Sequence, residues 1–404
     1  MVSGALASVN YGYETVAFQT KSGSINKTFG LGSKITGLER NNNLAIIYGL
    51  GDREAAVNQE LMFQGSFSVE TVMSDPWAFQ AFLGDYFASA DSSTGKQTTT
   101  LTGSHALGAT QLTVVSSTGF VDTEVIHIAG NIANTYEIRK VSGAPPDGTH
   151  INIDKPLYYQ HNTASAVSEL GGSGPTYYYH VFRNPNSIKL NTLTIQNTID
   201  LTADLQTNLL GCVPTSMSMS ASVGSVVPVT YDFMFGREDP EDAPAFVSQV
   251  ASSFNAYSFA YGNLYFPGSA SAAKAAVQSC DISITPNLEL IYGLGSRNAA
   301  AYSEQAFDFS INTSMFFQDK NDFQALFMDG TSTYPVTGPA STVAQNGLVL
   351  HFNDGTNSIV YSFGGVKIDT TNMPQDPTAP IMEDVSLKAR TLTIYARNTT
   401  TTSP

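Results

Sequence analysis

The chain has 404 residues, a formal net charge of −15 and only 13% charged residues, against about 25% in a typical soluble domain. This length allows two or three domains. A nucleic-acid binder needs a basic face, because phosphate contacts supply most of its affinity, and this acidic sequence has no Lys/Arg cluster. The charge argues against a protein that grips DNA, but it is compatible with one that repels DNA.

Cysteine content and the N-terminal sequence suggest where the protein is made. Cys212 and Cys280 are too few for a disulfide framework, so we expect buried free thiols rather than a single bridge. The opening residues, MVSGALASVNYG, lack the basic and apolar regions of a secretory signal. No apolar run approaches 18 residues, so no transmembrane helix is expected. We therefore expect a protein that is kept in the cytosol until it is assembled or released.

The first part of the chain contains one copy of a long internal repeat. Strand-forming residues at Tyr13–Gln19 predict a strand, and Gly23–Gly37 is rich in turn residues. The segment Asn43–Asp85 then follows, and it occurs again 244 positions later as Asn287–Asp329. The copies align over 43 positions without a gap, and 18 residues are identical. A repeat of this length indicates tandem duplication of a whole domain rather than a solenoid.

Each copy predicts the same series of elements. An apolar strand, Leu44–Tyr48 or Leu288–Tyr292, precedes a Gly-Leu-Gly turn. A polar loop is expected next, at Asp52–Gln59 or Ser296–Gln305, followed by an alternating strand and a short helix. In the first copy Asp75 would cap this helix, and one apolar face would comprise Phe79, Phe82, Leu83 and Tyr86. In the second copy the cap would be Asp319, and Gly330 would end the helix.

Residues 90–175 read as a module inserted into the first duplicated domain. Ser89–Thr102 and Gly171–Pro175 have the composition of flexible linkers. Between them, short β-type runs are bounded by Gly, Asn, Asp and Pro; these runs are Thr110–Val115, Glu124–Ala129, Tyr136–Val141, His150–Ile153 and Ala166–Leu170. The second repeat has no counterpart at this point. We therefore predict a small all-β domain that occurs once per chain.

The first domain resumes with an alternating strand at Ser187–Leu201. The acidic, proline-containing segment Arg237–Pro244 is predicted to be a domain boundary that does not continue a strand. Residues 246–254 are predicted to form one short helix, and Leu387–Ala396 the final strand. The predicted domains are residues 1–89 with 176–238, the insert 90–175, and residues 239–404.

No motif in the sequence indicates catalysis, a cofactor or a metal. Gly49-Leu-Gly51 and Gly293-Leu-Gly295 follow strands, but a phosphate loop requires a helix directly after its glycines. The repeated glycines are better explained by a tight turn. The histidines lack metal-ligand spacing, and no Gly-x-Ser-x-Gly motif is present. Trp77 and the tyrosines at 177–179 could form a glycan platform, although core packing is the simpler interpretation.

Two charged positions are repeated with the glycines. Arg53 and Arg297 occupy equivalent positions in the two copies, as do Glu60 and Glu304. A single active site does not need to occur twice in one chain. We interpret these residues as ion-pair partners, within the fold or across an assembly contact.

These features resemble the tail tube proteins of tailed bacterial and archaeal viruses. The resemblance is clearest over Ala275–Arg297 and Phe307–Ile311, and it is weaker over Ile35–Arg53. It implies a mainly β fold with two tandem tail-tube-like β-sandwich or β-barrel domains, each with one short helix, plus the inserted all-β module. It also implies a virion protein that is assembled in the host cytoplasm and has no enzymatic role.

The resemblance further implies how such a chain assembles. Tube subunits stack as rings whose strands form a β-barrel around the lumen, through which DNA passes during ejection. Most family members have one domain and form six-subunit rings, so a tandem pair implies a homotrimer with pseudo-sixfold symmetry. The repeated Gly, Arg and Glu residues would belong to assembly loops. Further partners would be the tape measure, terminator, distal tail or baseplate proteins and, in a contractile tail, a sheath.

Two alternatives for the whole chain, and two interpretations of the insert, remain open from the sequence. The chain could be another tail or baseplate ring component, or a secreted adhesin of tandem β-sandwiches that binds carbohydrate. For the insert 90–175, the simpler interpretation is a solubilising or stabilising ornament, and the sharper one is weak contact with host-surface glycans.

Overall fold

The computed structural model describes residues 7–14, 24–48, 50, 54–92, 94–131, 135–172, 174–184, 190–201, 204–241, 245–252, 254–265, 277–316, 346–372 and 381–399. Within these ranges the chain is mainly β, as predicted. The strands that precede the helix are β1 (Ala7–Tyr13), β2 (Lys27–Thr28), β3 (Leu31–Asn41), β4 (Leu44–Tyr48), β5 (Ala55–Glu60) and β6 (Gln64–Val72). The α-helix is α1 (Phe79–Leu83).

The strands of the insert and its flanks come next. They are β7 (Asp85–Ser92), β8 (Thr98–Thr100), β9 (Gln111–Thr113), β10 (Val125–Ala129), β11 (Tyr136–Lys140), β12 (His150–Asn152), β13 (Ala166–Glu169) and β14 (Pro175–Arg183). Each of the five predicted β-type runs contains one of these strands, so that part of the prediction is confirmed. The next strands are β15 (Leu193–Ile199), β16 (Leu205–Ser222), β17 (Pro228–Phe235) and β18 (Arg237–Pro240).

A 3-10 turn at Phe259–Tyr261 leads into the second half of the chain. Its strands are β19 (Gly262–Tyr265), β20 (Val277–Thr285), β21 (Leu288–Tyr292), β22 (Ala299–Glu304), β23 (Asp308–Phe316), β24 (Asn346–Asn353), β25 (Ser358–Asn372), β26 (Met382–Ala389) and β27 (Thr391–Asn398). The apolar strands predicted in both repeat copies, β4 and β21, are confirmed with the predicted bounds.

Three large antiparallel sheets organise these strands. Sheet 1 has the order β3–β6–β17–β16–β20–β23–β26–β25. Sheet 2 has the order β2–β1–β15–β16–β18. Sheet 3 has the order β7–β14–β27–β25–β24–β19. The long strands β16 and β25 each belong to two sheets and so form the corners between them.

The first half (β1, β3–β6 and β15–β18) and the second half (β19–β27) have the same strand connectivity. The ladder β3–β6–β17–β16 is repeated as β20–β23–β26–β25, and β1–β15–β16–β18 as β19–β24–β25–β27. The corner strands turn at equivalent glycines, Gly211 with φ 61° and Gly365 with φ 65°, a conformation that glycine adopts without strain. Thus the duplication seen in the sequence extends to the strand topology of the two halves, whereas β2, β7 and β14 are additions to it.

One continuous core lies between sheet 1 and the other two sheets. It contains the alternating apolar residues of sheet 1, such as Phe67, Tyr231 and Ile311, together with Phe79 and Phe82 of α1. Cys212 and Cys280 are both buried free thiols, as predicted. The polar residues that alternate with these apolar ones lie on the opposite face of sheet 1.

The insert forms its own small sheets, β11–β10–β13–β8 and β9–β12, around a separate apolar cluster. It is also packed against the second half. Tyr158 and Tyr159 lie against backbone where a side chain would clash: a Cβ on Gly364 would be 2.7 Å from Tyr158 Cγ, and one on Gly347 would be 2.9 Å from Tyr159 Cβ. The predicted linker Ser89–Thr102 is half strand, because residues 89–92 belong to β7 and Thr98–Thr100 form β8, whereas in the described part of Gly171–Pro175 the strand residue is Pro175.

Several local predictions were wrong. The helix α1 begins after Ala78 without a side-chain cap, so Asp75 is not its N-cap. Residues 245–252 contain no helix. Arg237–Pro240 does continue a strand, because β18 pairs with β16 at the edge of sheet 2. The helix predicted between Asp319 and Gly330 lies outside the described residues, and the proposed domain limits stay predictions.

Candidate assembly surfaces

The two halves are joined inside the chain by one antiparallel ladder. In sheet 1 the first half contributes β3, β6, β17 and β16, and the second half contributes β20, β23, β26 and β25. The two halves meet where β16 pairs with β20. The register places Met217 opposite Ile284 and Ser218 opposite Ser283. Sheet 1 therefore runs through the chain as eight continuous strands.

Sheet 1 ends in two strands whose outer edges have no ladder partner among the described strands. At one end β3 pairs only with β6. At the other end the final part of β25, Lys367–Asn372, pairs only with β26. β3 is the equivalent of β20, and this part of β25 is the equivalent of the part of β16 that pairs with β20. The two free edges of sheet 1 are therefore the equivalents of the two strands that pair at the internal β16–β20 junction.

The register supports this equivalence residue by residue. β16 has a bulge between Pro214 and Ser216 opposite β17, and β25 has a bulge between Ile368 and Thr370 opposite β26. Two residues beyond each bulge lie Ser218, opposite Thr230, and Asn372, opposite Asp384.

The outer face of sheet 1 is polar and acidic. Its side chains are mainly Ser, Thr and Asn, because the apolar residues of each strand alternate to the core side. In the described strands the charged residues on this face are Lys34, Glu39, Glu70, Asp232, Asp281, Asp308, Lys367, Asp384 and Lys388. Two of the three lysines are paired, Lys34 with Glu70 at 2.7 Å and Lys388 with Asp308 at 2.8 Å. The face therefore presents an excess of carboxylates to solvent.

The repeated segments form two hairpins outside the large sheets. β4 pairs with β5, and β21 pairs with β22. The first hairpin is therefore Leu44–Glu60 and the second is Leu288–Glu304. The polar loops predicted at Asp52–Gln59 and Ser296–Gln305 are wrong for most of their length, because β5 and β22 occupy these positions.

The second hairpin is docked on the first half of the same chain. The Arg297 guanidinium donates to the carbonyl oxygen of Leu61 at 3.0 Å and to Asn42 Oδ1 at 3.0 Å, and it forms an ion pair with Glu60. Phe63 N donates to Arg297 O at 2.8 Å, and Tyr292 OH donates to Phe63 O at 2.8 Å.

Apolar contacts complete this docking. Leu288 and Leu290 are 7% and 8% exposed, in a cluster with Leu190 and Val213 of the first half. Glu304 accepts a hydrogen bond from Leu190 N at 2.7 Å. Gly236 of the first half lies so close to Ala299 that a Cβ on the glycine would be 2.6 Å from the alanine Cβ.

The first hairpin presents the same positions to solvent. Leu44 and Ile46, the equivalents of Leu288 and Leu290, are 57% and 54% exposed, and Tyr48 is 60% exposed. Like sequences therefore have different environments, because within the described ranges it is the second hairpin that is docked on a half of the chain. Apolar residues exposed together in this way are typical of an interaction surface.

The predicted assembly residues have different places in this arrangement. Arg297 and Glu60 form an ion pair that joins the two repeat copies, and Glu304 contacts the backbone of the first half. Gly295 has φ 86°, so the turn between β21 and β22 requires a glycine there, and Gly293 lies in the same turn. Gly49, Gly51 and Arg53 lie outside the described residues.

A buried ion pair within the insert lies where the insert contacts the second half. Arg139 and Glu137 are 2.6 Å apart, and their side chains are 2% and 0% exposed. Arg139 also donates to Tyr395 OH at 2.9 Å, and Glu137 accepts from Tyr158 N at 2.7 Å. Burial alone would raise the pKa of Glu137, but Arg139 and neighbouring donors bring that pKa below its usual value. The sequence showed no signal for this contact beyond the Glu-x-Arg alternation of a strand.

Other candidate sites find no support. Trp77 is buried in the core, with its ring 4.8 Å from that of His180, so it is not part of an exposed glycan platform. Among the described residues, no three His, Cys, Asp or Glu side chains converge as metal ligands would. In the same part of the chain, none of the helical segments has the length and apolarity needed to cross a membrane.

Comparison with known proteins identifies one family. A family model described as phage tail tube protein matches residues 4–389, which is nearly the whole chain. No curated protein matches the sequence.

Proposed function

Because the chain belongs to the phage tail tube protein family, we propose that it is the major tail tube subunit and that three copies close into a pseudo-hexameric ring. The family is structural and not enzymatic, and its members are components of the virion tail. The observation that carries the proposal is that the two free edges of sheet 1 repeat the internal β16–β20 junction.

A ring closes if the strand pairing seen at the internal junction is repeated between neighbouring chains. The Lys367–Asn372 edge of one copy would pair with β3 of the next, as β16 pairs with β20 within the chain. This contact is heterologous, since it joins two different surfaces, and such contacts form a ring when the rotation closes. Closure would also cover the strand edges that otherwise invite uncontrolled association.

The ring would contain 24 strands, eight from each of three chains. Strands about 4.8 Å apart give a circumference of roughly 115 Å before any strand tilt. Barrels of 16 to 18 strands already leave an aqueous channel, so this ring would enclose a wider one. Among the residues that the structure describes, no other segment covers the polar face of sheet 1, and this face would line the lumen. Its excess of carboxylates would repel a passing polyanion.

The assembly residues have proposed roles in this ring. The Glu60–Arg297 pair fixes the two halves within one chain, and by the repeat Arg53 would pair with Glu304 across the junction between chains. Stacking of rings into a tube, contacts with the tape measure, terminator, distal tail, baseplate or sheath proteins, and DNA passage during ejection are further parts of the proposal. Contact of the insert 90–175 with host-surface glycans stays a prediction.

A paired cysteine experiment tests the junction. Equivalence with Ser218 opposite Ser283 places Asn372 of one copy opposite Glu39 of the next, with Cα atoms about 4.5–5.5 Å apart, a separation that a disulfide spans. The double variant Glu39→Cys/Asn372→Cys should give covalent trimers on oxidation of assembled protein. The variant Ser218→Cys/Ser283→Cys is the matched control, because it should form its bridge within a single chain.

The outcomes separate the parts of the proposal. Covalent trimers without larger species support a closed three-chain ring, which electron microscopy should show with threefold symmetry. A ladder that extends to six chains would exclude the trimer, and absence of any bridge in assembled tubes would exclude the junction itself. Each single-cysteine variant should remain uncrosslinked.

A further inference from the structure

We propose that the first hairpin docks into the cleft between the insert and the second half of an adjacent copy, so that the insert is part of the subunit interface. This proposal rests on the proposed ring, and it names the surfaces that meet beside the strand junction. It starts from the contrast between the two hairpins, which have equivalent apolar residues but opposite exposure.

The surface on which the second hairpin is docked, called its seat, indicates the kind of surface on which the first hairpin would dock. On the first half this seat includes Leu61, Phe63 and Gly236. The repeat and the strand registers place their equivalents on the second half at Gln305, Phe307 and Arg390.

These three equivalents line a cleft of about 580 Å³. Its floor includes Gly364 and Gly365 of the corner strand β25, and its other wall is the insert, through Leu107, Lys155 and Leu157. In the described residues no segment of the same chain fills this cleft. The second half therefore has an open cleft where the first half has an occupied seat, and because Arg390 replaces Gly236, an occupant would lie farther from the backbone at that point.

The direction of docking agrees with the strand junction. The second hairpin extends from β20 and docks on the half whose β16 pairs with β20. By the same geometry, the first hairpin extends from β3 and would dock on the second half of the copy whose β25 pairs with that β3. One arrangement of two copies thus satisfies both contacts.

Shape and charge also suit this occupant. Leu44, Ile46 and Tyr48 would meet the half-buried apolar side chains of Phe307 and Leu107. Glu54, which directly precedes β5, approaches a cleft that contains Lys155 and Arg390. The insert supplies one of these two cations and one apolar wall, so the seat is incomplete without it.

Photo-cross-linking of assembled protein tests the contact directly. A benzophenone amino acid replaces Tyr48, and light and heavy isotope-labelled chains are mixed before assembly. Cross-links should join position 48 of one copy to residues 305–309, 390 or 155–157 of another. The matched control carries the same group at Tyr292 and should cross-link within one chain, near Phe63.

A second variant measures the energetic role of the hairpin. Ile46→Asp should leave the monomer folded, because Ile46 is exposed there, yet raise the concentration needed for assembly by about tenfold or more. Leu107→Asp changes the insert side of the cleft without deleting the insert. This variant should also raise the concentration needed for assembly.

The results distinguish this proposal from the ring itself. Cysteine-linked trimers together with cross-links from position 48 to a different surface, such as a stacked ring, would overturn the cleft proposal and leave the ring intact. Unchanged assembly of both Ile46→Asp and Leu107→Asp would also overturn it. Failure of the cysteine pair to bridge would instead count against the ring.

Discussion

The substitution Arg139→Met should sharply destabilise the insert. Arg139 is the counter-charge of Glu137 in an interior where both side chains are almost fully buried. It also donates to Pro156 O at 3.1 Å and lies over the Tyr158 ring at 4.5 Å. Methionine is similar in length and apolar, so the change removes the charge and its hydrogen bonds without opening a large cavity.

The magnitude follows from the burial of the remaining carboxylate. Removing one partner of a buried ion pair typically costs about 3–5 kcal/mol, because the other charge stays desolvated. The pair Lys34–Glu70 is a matched control, since its distance is 2.7 Å but its side chains are 63% and 43% exposed. Lys34→Met should cost far less, because solvent screens an exposed ion pair.

The dependence on pH should reverse in the variant. In the natural sequence the folded-state pKa of Glu137 is lowered, so its contribution to stability is present above the unfolded pKa and is lost as pH falls. Without Arg139, burial should raise that pKa, and the variant should gain stability as Glu137 becomes protonated. The difference between the two proteins should therefore shrink from pH 7 towards pH 4.

Native-state hydrogen exchange is the suitable assay, because it reads the insert separately from the rest of the chain. A loss of about 3–5 kcal/mol corresponds to exchange that is roughly 10²- to 5 × 10³-fold faster at the amides of β10 and β11. Lys34→Met should leave those amides unchanged. Exchange in Arg139→Met within about threefold of the unaltered protein would refute the reasoning, as would a destabilisation that grows at low pH.

Two further predictions concern buried titratable groups. Burial, with Arg397, lowers the pKa of His351 to about 4, so the unfolded chain binds a proton between pH 6.5 and 4 that the folded chain excludes. As the pH falls over that range, the free energy of unfolding should decrease, and His351→Leu should remove roughly 3 kcal/mol of this decrease. Urea titrations at several pH values measure it, and parallel pH profiles of the two proteins would contradict the prediction. Burial also raises the pKa of Cys280 to about 12 and that of Cys212 well above its usual value. Neither thiol should react with a thiol reagent at pH 8 until urea unfolds the protein, and rapid labelling of the native protein would show that these sites are accessible.

Local sequence patterns determined the strands and the duplication. β4 and β21 were predicted with their observed bounds, because a five-residue apolar run before Gly-Leu-Gly contains its own start and stop signals. The insert strands were found for the same reason. Where local signals compete, as in Arg237–Pro240 or around Asp75, the prediction was wrong because a ladder with β16 or packing in the core outweighed propensity.

Only the tertiary structure decided what each repeated residue contacts. The apolar positions of the two hairpins cannot be distinguished by pattern: Ile46 and Leu290 are equivalent in sequence, yet one is exposed and the other buried. The difference arises because the second hairpin is docked on the first half, whereas among the described residues the first hairpin has no comparable contact. Periodicity specifies which face of a strand is apolar, whereas burial depends on partners that are distant in sequence or in another copy.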